Sequence, residues 1–318
     1  MALTESDVDI FEASRPRLEA IAYRMLGSAA DAEDMVSETF LRWQSARSDG
    51  GDHIITPEAW LTKVLTNLCL NQLASARARR ETYVGHWLPE PLLAGDPMLG
   101  PAEAAEQRAS VSYAVMVLLE RLTPEQRAVY VLAEAFGYPH RDIAQILDIT
   151  ESASQQHLHR ARERVESGRV RTQVDQQEAE RITAEFIDAA TSGRTEPLVA
   201  LLTAEVAAAG DGGGKVPAVA KPFHGAARVA SFIRGLFKPG KAKRDLVGAT
   251  LTVEAAVVDG DPAIVAYSDQ GVFGVMVMQV SSGEISSLHS QVNPDKLKRF
   301  SRQWSRREHR GTPRVIPL

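Results

Sequence analysis

The segment from Leu122 to Val165 admits few folds. Thr123-Pro124-Glu125-Gln126 reads as a helix start. Thr123 can accept from an unpaired N–H, Pro124 fits the first helical position, and Gln126 can reach back to close a capping box. Gly137 and Pro139 end that helix. A short helix follows with Ile143, Ile146 and Leu147 on one face, then the turn Asp148-Ile149-Thr150. Thr150 caps a longer helix on which Leu158, Ala161 and Val165 recur at helical spacing and face a core. This is the pattern of a helix-turn-helix. The outward face of the second helix carries Gln155, Gln156, His159, Arg160, Arg162 and Arg164. Gln pairs with adenine edges and Arg with guanine or phosphate, so the face has the chemistry of a recognition helix. The same row would also suit the solvated side of an ordinary helix pair.

A chain of 318 residues is long enough for two or three domains. Its net charge of −5 argues against coating nucleic acid by bulk charge. Basic residues are nonetheless clustered, at Arg77, Arg79 and Arg80, from Arg160 to Arg171, from Lys238 to Arg244 and from Lys296 to Arg310. The single cysteine, Cys69, lies in an apolar helical run, which rules out an intrachain disulfide and suits a buried thiol in a reducing compartment. No apolar run is long enough to span a membrane, and the N-terminus has no signal-peptide pattern. A cytoplasmic protein with no membrane partner is expected.

Residues 6–82 read as all-helical. Apolar residues recur from Ile10 to Leu26, Gly27-Ser28 breaks the run, and Ser28 caps a helix over Asp31–Trp43. Thr56-Pro57-Glu58 starts a third helix that ends in the basic stretch to Arg80. Residues 83–105, rich in Pro and Gly, read as a linker, although Trp87 and Leu88 are apolar for one. A helix pair with the helix-turn-helix fills 106–170. From 175 to 300 helices come first, over Gln177–Thr191 and Glu196–Leu202, and strands follow. The strands are expected at Val206–Ala209, Val216–Phe223, Ala249–Val258, Ala263–Ser268, Gly271–Val280 and Glu284–Gln291, forming an antiparallel sheet in a separate α+β domain. Residues 301–318 read as a mobile basic tail.

The helix DAEDMVSETFLRW decides what kind of DNA binder this is. Val36, Phe40 and Trp43 form a packing face. Asp34, Glu38 and Arg42 form a charged one, with Asp31 a turn earlier, and that face can dock a basic partner or serve as an ordinary solvated stripe. The stretch resembles region 2 of the extracytoplasmic-function sigma factors of bacterial RNA polymerase at Asp31, Ala32, Glu33, Asp34, Val36, Glu38, Phe40, Leu41 and Arg42. The likeness continues through Ala59-Trp60-Leu61 and Asn67, and the helix-turn-helix stands where that family has region 4.

The resemblance implies that Asp31, Asp34, Glu38 and Arg42 meet the β′ clamp helices of core polymerase, the β flap being a further polymerase contact. It implies that Asn67, Asn71, Arg77, Arg79 and Arg80 face the minus-10 element, and that Gln155, Gln156, His159, Arg160 and Arg162 read the minus-35 element. Two residues depart from the family: Asp148 stands where a turn glycine is common, and Ser154 where an apolar residue is common. Either could alter helix phase or base preference.

Three further segments, Trp87-Leu88-Pro89-Glu90-Pro91, Asp211-Gly212-Gly213-Gly214 and Asn293-Pro294-Asp295-Lys296-Leu297, resemble marks of a subgroup with a C-terminal SnoaL-like domain. The implied architecture is two all-α sigma domains followed by a conical α+β domain. That extension is expected to regulate the chain in cis, without a separate anti-sigma factor, through an interdomain contact of those segments. No cofactor or metal is implied. An unidentified small ligand in the C-terminal domain stays open.

Two other classes compete. Conical folds host isomerases, for which Asp211, His224, Tyr267 and His289 would be the acid–base candidates, although no spacing makes them converge. Val275, Met276, Val277 and Met278 read instead as an apolar interior. A DNA-binding regulator with a ligand-sensing domain would need no polymerase-binding helix, and the Asp31–Trp43 pattern argues against it.

Overall fold

The computed structural model describes residues 5–48, 54–81, 83–100, 112–167, 176–219, 221–248, 250–307 and 313–317. They form two compact units. One comprises Met1–Glu81, Gly95–Val111 and Val115–Arg169; the other comprises Thr82–Ala94, Ser112–Ala114 and Val170–Leu318.

In the first unit, α1 (Glu5–Leu26), α2 (Ala29–Ser48) and α3 (Pro57–Glu81) pack together. Gly27, at φ 67, closes α1, and the Ser28 hydroxyl accepts from the Asp31 N–H at 3.2 Å to start α2. Phe11, Leu18, Ile21 and Met25 of α1, Val36 and Trp43 of α2 and Leu61 and Leu65 of α3 are all buried where the three helices pack. Trp43 is wholly buried, so its indole N–H needs a partner; it donates to the Asp7 carbonyl at 3.0 Å. Cys69 is buried in the same core, and burial pushes its thiol far above its ordinary value, so it acts as a small hydrophobe.

The helix-turn-helix half contains α4 (Tyr113–Leu119) from Val115 onward, α5 (Pro124–Tyr130), α6 (His140–Leu147) and α7 (Glu151–Glu166). The capping box at Thr123 and Gln126 is present in both directions. α5 runs on into a π-turn over Val131–Ala135 before Gly137, at φ 68, reverses the chain. The two halves of this unit touch. The guanidinium of Arg127 (α5) donates to the Arg24 carbonyl (α1) at 3.1 Å, the Thr62 hydroxyl lies 3.2 Å from the Tyr138 hydroxyl, and Arg17 lies over the Tyr138 ring at 4.9 Å.

The second unit carries α8 (Gln176–Thr191), α9 (Glu196–Val199), α10 (Ala226–Phe237), α11 (Lys241–Val247) and α12 (Lys298–Trp304). They accompany a seven-stranded sheet of β1 (Leu202–Asp211), β2 (Phe223–His224), β3 (Thr250–Val258), β4 (Asp261–Ser268), β5 (Gly271–Ser281), β6 (Glu284–Gln291) and β7 (Arg314–Pro317), in the order β2-β1-β6-β5-β4-β3-β7. Ile182 and Phe186 of α8 and Val229 and Ile233 of α10 fill the inner face against Val206, Met278 and Leu288.

Four expectations from sequence are corrected. The helix expected over Glu196–Leu202 stops at Val199, and Leu202 opens β1. Among the described residues of Val216–Phe223, only Phe223 is in a strand, β2, which pairs with β1: Pro217 and Pro222 remove ladder donors. The sheet is not wholly antiparallel, because β1 runs parallel to β6. The described part of the tail is not free: Trp304 of α12 is buried, and β7 pairs with β3, placing Pro317 on an edge where its missing N–H costs little. Strand alternation also divides the apolar run of β5. Met276 and Met278 join the inner core, whereas Val275 and Val277 are buried on the other face.

Candidate nucleic-acid interface

α2 has the two faces that its spacing requires. Ala32, Val36, Thr39 and Trp43 are buried. Phe40 is half-buried and its ring centroid lies 4.8 Å from that of Phe11. Asp34 and Arg42 are exposed and Glu38 half-exposed, with Leu41 beside them at 57% exposure. Arg42 donates to Glu38 at 3.0 Å, one helical turn apart. Asp31 is set apart from this row, because Gln72 of α3 donates to its carboxylate at 3.3 Å.

On α3, Asn71 is exposed and Asn67 half-buried. The backbone of Arg77, Arg79 and Arg80 continues the helix, while their side chains lie outside the described residues. Sequence reasoning missed Lys63. It precedes Asn67 by one helical turn, and its ammonium donates to the Gln145 carbonyl at 2.9 Å and to Asp148 at 2.6 Å. The i, i+4 spacing to Asn67 was the available signal.

On α7 the inner row is Ser154, Leu158, Ala161 and Val165, all buried. Gln155, Gln156, His159 and Arg160 are exposed on the outer side. Two side chains of this helix face carboxylates: His159 Nε2 lies 3.4 Å from Glu163, and two guanidinium nitrogens of Arg162 donate to Glu134 at 3.0 and 2.5 Å. Both departures from the family pattern have physical causes. Ser154 is buried because its hydroxyl lies 2.8 Å from Nδ1 of His140, linking α6 to α7, so the helix phase is unchanged. Asp148 adopts the left-handed turn at φ 54 and ψ 44, which short polar side chains tolerate, and its carboxylate holds Lys63.

The three remaining motifs converge within the second unit. Of the segment 83–105, residues 83–94 group with the C-terminal unit and 95–100 with the helical one, and the rest lies outside the described residues. Asp211, wholly buried at the end of β1, is the centre of a knot. It accepts from the Tyr83 hydroxyl at 2.6 Å, the Leu88 N–H at 2.9 Å, the Gly213 N–H at 3.0 Å and Lys296 at 2.7 Å. Lys296 also donates to the Leu88 carbonyl at 2.6 Å and lies 3.9 Å from the Trp87 ring centroid. Gln291 donates to the carbonyls of Leu88 and Pro89, and Asn293 donates to the Tyr83 hydroxyl at 2.9 Å. Glu90, Pro91 and Leu297 are buried alongside, whereas Pro294 is exposed.

The glycines are required by space. A Cβ on Gly212 would meet the Val216 carbonyl at 2.0 Å, and one on Gly213 would meet Asn293 at 2.3 Å; Gly214 sits against Val84. Asp295 pairs with Lys215 and Lys298, whose hydrogen bonds hold its carboxyl below the usual range. Burial, then donation to Asp211, pushes the Tyr83 hydroxyl well above its ordinary value. Residues 83–94 thus form a strap held on the C-terminal unit, and Tyr113 adds to its hold by donating to the Pro89 carbonyl at 3.0 Å. Tyr83, Tyr113 and Gln291 were not singled out as strap residues from sequence, since nothing in their spacing marks them.

The acid–base candidates do not assemble. Asp211 is consumed by the knot, His289 lies against the Tyr113 ring, Tyr267 donates to Glu254 at 3.0 Å, and His224 is exposed on β2. Among the described residues, no group of three or more His, Cys, Asp or Glu is placed to hold a metal, and no helix is long and apolar enough to cross a membrane.

Known proteins share this arrangement. The family described as Sigma-70 region 2 matches residues 10–79, and Sigma-70, region 4 matches residues 112–165. The ECF RNA polymerase sigma factor SigJ of Mycobacterium tuberculosis (strain H37Rv) is 36% identical over 303 residues, 92% of this chain and 93% of its own. The probable ECF RNA polymerase sigma factor SigI of the same species is 33% identical over 294 residues, covering 90% of this chain and 93% of SigI. The crystal structure of M. tuberculosis SigJ matches with a TM-score of 0.69 at 32% identity, over 91% of this chain and 98% of that one. Two helical promoter-recognition regions with a sheet-rich C-terminal domain define the class. The chain belongs to the extracytoplasmic-function RNA polymerase sigma factors.

Proposed function

We propose that the chain docks on core RNA polymerase through the outward row of α2, Asp34, Glu38 and Arg42, with Asp31 and Leu41 at its edge. Asn67, Asn71 and the basic end of α3, Arg77, Arg79 and Arg80, face the minus-10 element, and Gln155, Gln156, His159 and Arg160 of α7 read the minus-35 element. The observation that carries this reading is that one compact unit presents both rows outward, with the opposite face of each helix buried. Arg162 serves DNA only after leaving Glu134. The work is binding and melting of a promoter by positioned polar groups, not catalysis by a site of its own. The cytoplasm, where the polymerase works, is the compartment assigned.

The C-terminal unit acts in cis through the connection between the two regions. Residues 83–94 are anchored on it by Asp211, Gln291, Asn293 and Lys296. Fully extended, a segment of that length reaches about 40 Å, so holding or releasing it changes how far the regions can part to span two elements on one duplex. This control needs no separate anti-sigma factor. The test is run-off transcription with purified core polymerase on the DNA upstream of the chain's own coding region. The full chain should direct a defined start, and Asp211→Ala should change its yield. Absence of any chain-dependent start would reject the sigma reading; an unchanged yield from Asp211→Ala would reject the control in cis.

A further inference from the structure

Lys63 is held by two oxygens, and both belong to the helix-turn-helix. Its ammonium donates to Asp148 Oδ1 at 2.6 Å and to the Gln145 carbonyl at 2.9 Å. Gln145 is in α6 and Asp148 is the residue that ends it. On its own helix, Lys63 stands one turn before Asn67 and two before Asn71, on the same side of α3. A lysine opening a polar row of this kind is a point charge suited to phosphate. In this arrangement that charge is held by a carboxylate.

Asp148 is not chosen for its backbone. At φ 54 and ψ 44 a glycine would sit with less strain, so what the aspartate adds at this position is its carboxylate. The pair is exposed, 40% at Lys63 and 72% at Asp148. Exposed pairs shift an equilibrium by about fivefold at most, so a polyanion can displace this one. The neighbouring contact of Thr62 with Tyr138 makes the same two segments neighbours without using charge.

We propose that Lys63 is a promoter-phosphate contact at the start of the minus-10 face, and that Asp148 of the helix-turn-helix masks it until DNA competes. The two partners compete, because a carboxylate and a phosphate brought to one ammonium repel each other. The minus-35 half thereby guards the minus-10 half. This inference rests on the promoter-binding reading of α3 given above, but it is tested without polymerase, so either can fail alone.

The test is fluorescence anisotropy of the full-length chain with a labelled single-stranded DNA oligonucleotide of mixed sequence, titrated across salt. Asp148→Gly and Asp148→Asn both keep the left-handed turn accessible. Each should tighten binding about fivefold at ~0.1 M salt and steepen the slope of log affinity against log salt by about 0.7, the signature of one more neutralised phosphate. Neither should tighten binding once Lys63→Gln is present. An equal gain in the Lys63→Gln background would show a general charge effect and overturn the proposal, as would no gain in either Asp148 variant with the fold intact by circular dichroism.

Discussion

Lys296 Nζ lies 2.7 Å from Asp211 Oδ2, with the Asp211 side chain wholly out of solvent and the Lys296 side chain 11% exposed. Removing one partner of a buried pair leaves an uncompensated charge, at a cost of about 3–5 kcal/mol. Lys296→Met should therefore lower the stability of the C-terminal unit by about 3 kcal/mol or more, read by urea unfolding. Combining it with Asp211→Asn should recover part of the loss, since the stranded charge is gone. A loss from Lys296→Met no larger than that of a surface substitution would contradict the role given to the knot.

The glycines after Asp211 provide a second check. Gly213 has φ 59, and a Cβ there meets Asn293 at 2.3 Å. Gly213→Ala should cost about 1–3 kcal/mol from strain and displacement of Asn293. Gly235, within α10, has nothing near its missing Cβ. Gly235→Ala should be neutral or stabilise by about 0.5–1 kcal/mol, because alanine favours the helix. Thermal unfolding of the two variants side by side decides it, and equal effects would deny the close approach.

Tyrosine ionisation should loosen the strap at alkaline pH. Burial is the first cause that raises Tyr83 and Tyr113 above the ordinary value of 10.0, with donation to Asp211 second for Tyr83 and the charge of Asp259 second for Tyr113. Tyr267, also raised by burial and then by its bond to Glu254, is pushed up to about 12. A raised folded pKa means that the folded state holds the proton where the unfolded state has released it. The stability these groups contribute is then complete below pH 10.0 and is lost as pH rises through their folded values. Urea midpoints should be level from about pH 8 to 9 and fall above about pH 10. Stability unchanged through that upper range would contradict the buried hydroxyls.

Residues that act through local periodicity were legible in the sequence. The capping box at Thr123, the inner row of α7, the outward row of α2 and the helix Ala226–Phe237 all follow from spacing and cap chemistry, and each is present. What escaped depends on partners far along the chain. β1 is poor in β-branched residues over Ala207–Ala209 and becomes a strand because β6 and β2 supply its ladder. Arg314–Pro317 is a strand only because β3 has an open edge. Lys63 and Asp148 are many residues apart, and no local pattern joins them. The motifs Trp87–Pro91, Asp211–Gly214 and Asn293–Leu297 were visible singly, but their convergence on one carboxylate needed Tyr83 and Gln291, which carry no motif.

The recognition row can be dissected by what each side chain touches. With the polymerase holoenzyme on a promoter duplex selected from a random library, a base-edge contact and a phosphate contact leave different marks. Gln155→Ala or Gln156→Ala should relax discrimination at one base pair by about 1–3 kcal/mol. A phosphate contact at Arg160 would instead weaken all sequences alike and reduce the salt slope by about 0.9 on Arg160→Ala. Variants that change neither base preference nor salt dependence would remove α7 from the minus-35 reading.

The central claim is that the outward row of α2 binds core polymerase, and the affinity of the purified full-length chain for core enzyme tests it most directly. Asp34 and Glu38 face solvent away from the core built on Val36 and Trp43, so Asp34→Ala with Glu38→Ala should leave the fold intact. The unsubstituted chain should form a complex with core polymerase, and the double variant should bind at least about tenfold more weakly, as expected when central interface charges are removed. A folded double variant that binds core polymerase as tightly as the unsubstituted chain would contradict the account.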